Sequence, residues 1–142
     1  MEMSTLSSLV VELFTSIQLL AGYPAPKVLP EIHVVPHQEI EQRFCAGPCR
    51  VMAFYDPAQG VFIDDSLDIQ SDLFARSILL HELVHQLQNA SGKFDTIANR
   101  CAQHSLKESD AYEIQNRYLA SMRDGHHAFQ IDRSFQCGGG WS

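Results

Sequence analysis

The sequence contains no run of about 18 uncharged apolar residues, so no segment is expected to span a membrane. Nor is there a basic excess: 10 Lys and Arg stand against 17 Asp and Glu, a formal net charge of −7. Nucleic acid selects basic stripes, which excludes it as a partner, and the same balance disfavours an anionic membrane surface. The first apolar stretch, Leu6 to Ala21, has no basic segment ahead of it and carries Glu12 inside it. It is therefore a poor signal peptide. Either the protein is cytosolic, or the chain is a mature form whose leader has been removed. No internal repeat and no linker divides the sequence. Residues 1–142 thus form one expected domain, long enough for a real core, and nothing specifies its oligomeric state.

Cysteine is sparse, at Cys45, Cys49, Cys101 and Cys137. Four cysteines allow three pairings, and sequence does not choose among them. Cys45-Ala46-Gly47-Pro48-Cys49 is a tight loop that a short disulfide could close. A structural zinc site would want a second pair at similar spacing, and Cys101 and Cys137 stand too far apart. Two disulfides in an oxidising compartment are favoured over free thiols in the cytosol.

What is present begins with an amphipathic helix. Leu6, Leu9, Val10, Leu13, Phe14, Ile17 and Leu20 recur at spacings of three and four, and Gly22, Pro24 and Pro26 stop the pattern. Glu31–Val35 between Pro30 and Pro36 predicts a short strand, and Gln38–Phe44 a further helical turn. Val51–Tyr55 and Val61–Ile63 flank the turn residues Asp56–Gly60, which predicts a hairpin. A helix is expected from an Asp72 N-cap to about Asn89, broken by Ser91-Gly92. Lys93–His104 is polar and irregular, and a last helix is expected from about Ser105 to Arg123. The tail from His126 is Gly-rich at Gly138-Gly139-Gly140, with Trp141 as an anchor at most. The order is that of an α+β fold: an N-terminal helix, a small and mostly antiparallel sheet, then two helices.

The chemistry lies in His81-Glu82-Leu83-Val84-His85, an H-E-x-x-H at the end of the apolar-rich run Leu73–Leu80. Residues four apart share a helix face, so both imidazoles can reach one cation with Glu82 beside the open position. That is a zinc-hydrolase arrangement, two His ligands and a carboxylate that takes a proton from a metal-activated water. A catalytic zinc has three protein ligands, and the last helix offers Glu108, Asp110 and Glu113. At about 100° per residue, Glu108 falls on the inward stripe with Ala111, Tyr112, Gln115, Tyr118, Leu119 and Met122. Asp110 and Glu113 fall opposite, with Arg117, where charge is solvated. A carboxylate on the inward face must be paired or bound to a cation, which makes Glu108 the candidate for the third ligand, against a Glu that merely favours the helix dipole. His104, one turn earlier, is a rival if the helix starts early. Gln86 and Gln88 are expected to be exposed or to support the ligands, with no catalytic part.

Leu80–Gln88 followed by Glu108-Ser109-Asp110-Ala111-Tyr112-Glu113-Ile114-Gln115 resembles the gluzincins, zinc metallopeptidases with H-E-x-x-H and a Glu from a second helix. The E-x-x-A-Y form of the second motif is similar to that of small, largely uncharacterised bacterial gluzincin-like proteins and minimal single-domain gluzincins. The resemblance covers residues 72–123 and implies a zincin-like fold. It implies that His81, His85 and Glu108 bind Zn2+, with Glu82 as general base. The implied substrate is a peptide or protein, held extended along an edge strand. Many larger gluzincins have an Asp four residues after the ligand Glu to orient a zinc-bound His; here Tyr112 stands there, a phenol that could still hydrogen-bond a ligand.

An oxyanion donor is not placed by sequence; Tyr118, His126 and His127 are candidates by type alone. Gly60–Ile63 could receive a substrate strand or serve as a core strand. Cys137 could pair with Cys101, or as a free thiol reach the zinc and inhibit it. Two other classes stay open beside an exported peptidase: a non-catalytic or latent zinc-containing binding domain, and an intracellular regulatory protease of the H-E-x-x-H type without disulfides.

Overall fold

A computed structural model describes residues 3–123. The expectations for His126, His127, Cys137, the Gly138–Gly140 tract and Trp141 lie outside the described residues. The chain runs α1 (Met3–Ala21), β1 (Ile32–Val35), α2 (His37–Phe44), β2 (Ala53–Asp56), β3 (Gly60–Asp64), α3 (Leu73–Ser91) and α4 (Arg100–Ser121). The three strands form one sheet in the order β1-β3-β2.

The hairpin is where the turn residues place it: β2 pairs antiparallel with β3, with Phe54 opposite Phe62. β1 then adds in parallel to the other side of β3, with Ile32 beside Val61 and Val34 beside Ile63. The small sheet is therefore mixed, one pair of each sense. This makes β3 the central strand, and Val61, Phe62, Ile63 and Asp64 are all buried. An uninterrupted buried run rather than an alternating one is what a strand covered on both faces shows. Both edges of Gly60–Ile63 are taken, so it cannot receive a substrate strand. That expectation is corrected: among the described residues, the strand near the metal motif with an unpaired edge is β2.

Gly60 opens β3 at φ +106, and a Cβ there would collide with the carbonyl oxygen of Glu31. That carbonyl accepts the Val61 N–H at 2.9 Å, so β1 is drawn in where only glycine leaves room. Gly60→Ala is expected to destabilise the fold by at least about 2 kcal/mol, seen as a lowered midpoint in urea with an unchanged slope. An unchanged midpoint would mean that β1 docks without this close approach.

Helix α3 starts as anticipated, with the Asp72 carboxylate accepting the Phe74 N–H at 3.0 Å. It ends at Gly92, whose φ of +67 suits the left-handed cap. Its sides are covered by the sheet, α1 and α4, and Leu79, Leu80, Leu83 and Val84 are fully buried. The α1 stripe Val10, Leu13, Phe14 and Ile17 meets them, as do Val61 and Ile63 from β3 and Ala111, Ile114 and Tyr118 from α4. Helix α4 begins five residues earlier than expected. The Asn99 side chain caps it by accepting the Ala102 N–H at 3.0 Å. Its first turn, apart from the buried Cys101, carries no apolar periodicity for a sequence reading to detect.

The segment between α2 and β2 is fixed by several constraints. Cys45 and Cys49 form a disulfide. The Cys49 N–H donates to Glu41 Oε2 at 2.9 Å, and its carbonyl accepts from His37 Nε2 at 2.8 Å. His37 Nδ1 donates to the buried Asp64 carboxylate at 2.6 Å. The Cys49 carbonyl and the Asp64 carboxylate together raise the pKa of His37. Cys101 is also disulfide-bonded.

Candidate metal centre and its cleft

The one-turn spacing on α3 brings His81 and His85 together with their Nε2 atoms 3.2 Å apart. Glu108, on the face of α4 that meets α3, places Oε1 3.3 Å from His81 Nε2 and in contact with His85 Nε2. One ligand atom from each of the three residues lies within 4.8 Å of the other two. The sequence-derived triad is thus assembled in space. His104 lines the cavity beside it but is not one of the converging groups.

Two glutamines determine what the imidazoles offer. His81 Nδ1 lies 3.0 Å from Gln115 Oε1, and His85 Nδ1 lies 2.9 Å from Gln88 Oε1. The amide orientations are dictated by their other ends. Gln115 Nε2 donates to Ser77 Oγ at 3.0 Å, whose own proton goes to the Phe74 carbonyl at 2.6 Å. Gln88 Nε2 donates to the Lys107 carbonyl at 2.8 Å and to Asp110 Oδ2 at 3.0 Å, both pure acceptors. Each amide oxygen therefore faces an imidazole and takes its Nδ1 proton. Both Nε2 lone pairs are left facing each other and a carboxylate oxygen. Three lone-pair donors this close require a positive charge among them, either a proton or a cation. Two neutral imidazoles and one carboxylate are a donor set that suits a divalent transition metal in an open site.

The titration of the metal-free triad shows the same demand. Burial pulls His85 down, but the Glu108 hydrogen bond and the charges of Glu82 and Glu108 push it up to about 9. Glu108 is held well below the usual carboxylate range: burial raises it, and the two imidazoles more than offset this. His85 thus adds stability to the metal-free fold that is complete below its ordinary 6.5 and lost as pH rises through about 9. Metal uptake displaces that proton, so cation affinity rises over the same interval. The gap in melting temperature between zinc-loaded and metal-free protein is expected to widen from pH 6.5 to 9. A constant gap in paired thermal melts would show that His85 carries no extra proton.

Glu82 is buried beside the triad. Burial raises its pKa most strongly, opposed by His81 and His85, and the backbone N–H of Tyr55 donates to the carboxylate. The general-base candidate is therefore positioned by β2, an element the motif itself does not include. β2 and its lead-in from Arg50 form one wall of a cavity of about 750 Å³. Phe74 and Ile78 of α3 and Tyr112 of α4 complete much of the rest.

Several neighbouring expectations change. The Tyr112 ring packs against His81, tilted by 55° with 4.4 Å between centroids, and it is Gln115 that accepts from the Nδ1 of that imidazole. Asp110 is not solvated. Its Oδ2 accepts from the Tyr23 hydroxyl at 2.6 Å and from Gln88, and Lys93 Nζ stands 3.7 Å from Oδ1. The stripe assignment failed because residues two apart on a helix can both border a neighbouring helix when the contact is broad. Glu113, by contrast, forms the expected exposed pair with Arg117 at 2.7 Å. Gln88 is buried rather than exposed, and it supports a ligand. Gln86 is half-buried, and its Oε1 has no partner among the described residues. Tyr118 is buried and hydrogen-bonds with Arg76, away from the cavity, which removes it as an oxyanion donor.

No family model, curated protein or solved structure matches the chain. The His81-Glu82-x-x-His85 helix and the Glu108 helix, set against a small mixed sheet, match the catalytic arrangement of a gluzincin-type zinc metallopeptidase.

Proposed function

We propose that residues 1–142 form a single metallopeptidase domain that hydrolyses peptide bonds with zinc held by His81, His85 and Glu108. The convergence of three donor atoms whose tautomers are fixed by Gln88 and Gln115 carries this reading. When bound, zinc supplies Lewis acidity, polarising a carbonyl and lowering the pKa of a water toward about 7. Glu82 takes the proton of the attacking water and delivers it to the leaving amine. Its burial disfavours the charged form, which suits a base that must hold a proton between two steps. The edge of β2 that is unpaired among the described residues borders the cavity, so the substrate backbone lies extended along Ala53–Tyr55. The scissile carbonyl is thereby set between Glu82 and the triad. Tyr112, the phenol on the α4 wall beside His81, is the oxyanion donor this arrangement offers. The bonded cysteines favour an exported protein working in an oxidising compartment.

The test is elemental analysis of the protein followed by hydrolysis of a quenched-fluorescent peptide library. One zinc per chain is expected, with cleavage lost on chelation and restored by zinc. A protein that holds stoichiometric zinc and cleaves no library member would be a binding domain instead.

A further inference from the structure

We propose that the cleft selects peptides carrying a carboxylate within a few residues of the scissile bond, read by Arg50 on the β2 side and Lys107 on the α4 side. The inference rests on the hydrolase reading above and concerns its substrate class.

The protein as a whole is acidic, with a net charge of −7. Its cleft is not. Among the described residues, Glu82 and Glu108 are the only acidic side chains that line the cavity. One is the base and the other a ligand, and a divalent cation balances both. The remaining charges on the walls are the cations Arg50 and Lys107. Of the other described basic side chains, Arg43 pairs with Glu39, Lys93 with Asp110, and Arg117 with Glu113. Neither Arg50 nor Lys107 forms an ion pair with another described residue. Arg50 is exposed at the cavity and Lys107 half-buried in it, and with no counter-charge among the described residues each attracts an anion that enters.

Both positions are fixed relative to the reaction centre. Lys107 immediately precedes Glu108, so their Cα atoms are about 3.8 Å apart, and its carbonyl is held by Gln88. Arg50 follows Cys49, whose backbone is tied at both N–H and C=O and whose side chain is in the disulfide. Past Arg50 the chain enters the sheet, with the Asp64 N–H donating to the Met52 carbonyl at 2.9 Å. A peptide along β2 advances about 3.3 Å per residue, and Arg50 stands five positions before Tyr55, whose N–H holds Glu82, so a carboxylate about two to four residues from the scissile bond falls within reach of its side chain. Between the two cations the walls present Val51, Met52, Phe54, Phe74 and Ile78, which suits apolar side chains at the other positions. The carboxylate can be an Asp or Glu side chain or the free C-terminus of the peptide.

The zinc-loaded full chain is assayed on capped, amidated octapeptides bearing Glu, or its isostere Gln, near the scissile bond. The same Gln peptides with free C-termini form the second arm. Expected is a preference of about tenfold for the carboxylate form, shrinking between about 50 and 500 mM salt. It should collapse toward unity in R50Q/K107Q and persist in R50K/K107R. Preference only for free termini identifies an end-trimming enzyme, and preference for internal Glu identifies side-chain recognition; either supports the proposal. Equal cleavage of all forms, or a preference surviving in R50Q/K107Q, overturns it while leaving peptide hydrolysis intact. Binding of the same peptides to zinc-loaded E82Q, followed by fluorescence polarisation, separates the remaining cases. Tighter binding of carboxylate forms without any cleavage by the unmutated protein would uphold this selectivity and refute hydrolysis. No binding and no cleavage would refute both.

Discussion

Glu82→Gln is expected to leave one zinc per chain and to lower kcat for peptide hydrolysis by about a hundred- to ten-thousand-fold. The side chains are isosteric, and an amide oxygen can still accept the Tyr55 N–H that holds Glu82. Glu82 is not among the three groups whose donor atoms converge, so metal content should not follow its charge. What the amide cannot do is take a proton. Elemental analysis and kcat must therefore be measured on the same preparation. Full zinc with unchanged hydrolysis would exclude Glu82 as the base, whereas loss of both would show that it helps hold the cation.

The second large effect lies one layer further out. Gln88→Leu and Gln115→Leu are each expected to weaken zinc binding by about 10- to 100-fold, measured by competition with a chromophoric chelator. Each removes the acceptor that keeps one imidazole proton on Nδ1 and the lone pair on Nε2. Gln88→Leu also takes one of the donors from the Lys107 carbonyl and one from Asp110. Glu at position 115 can still accept from His81 Nδ1, so Gln115→Glu should recover much of what Leu loses. A folded Gln88→Leu protein with unaltered affinity would show that His85 is oriented by something other than its amide.

The motif helix was legible because its signal is local. His81 and His85 are one turn apart, and the Asp72 cap and Gly92 stop bracket them. Glu108 was legible because a carboxylate on an otherwise inward stripe needs a cation. The supporting shell was not, because its logic spans the chain. Asp110 matters through Tyr23, 87 residues away, and Gln88 through the Lys107 carbonyl 19 residues on. Neither separation leaves a periodicity. The hairpin could be read from its turn, but the parallel addition of β1 could not, since nothing near Ile32 names its partner. A clue did exist in β3, whose unbroken buried run distinguishes a central strand from the alternating pattern of an edge. The early start of α4 was missed because Asn99 caps a turn with little apolar content.

Tyr23 lies just beyond α1, and its hydroxyl reaches Asp110, which holds Gln88 against His85. Helix α1 contributes no reacting group, yet an unbroken string of hydrogen bonds runs from its end to a ligand of the cation. Coupling of this kind is reciprocal: whatever undocks α1 loosens the grip on the cation, and capturing the cation holds α1 down. The candidate metal centre is therefore not detachable from α1 and Tyr23. A fragment cut between Tyr23 and β1 would retain every residue of the motif and lose the strut that aims one of its imidazoles.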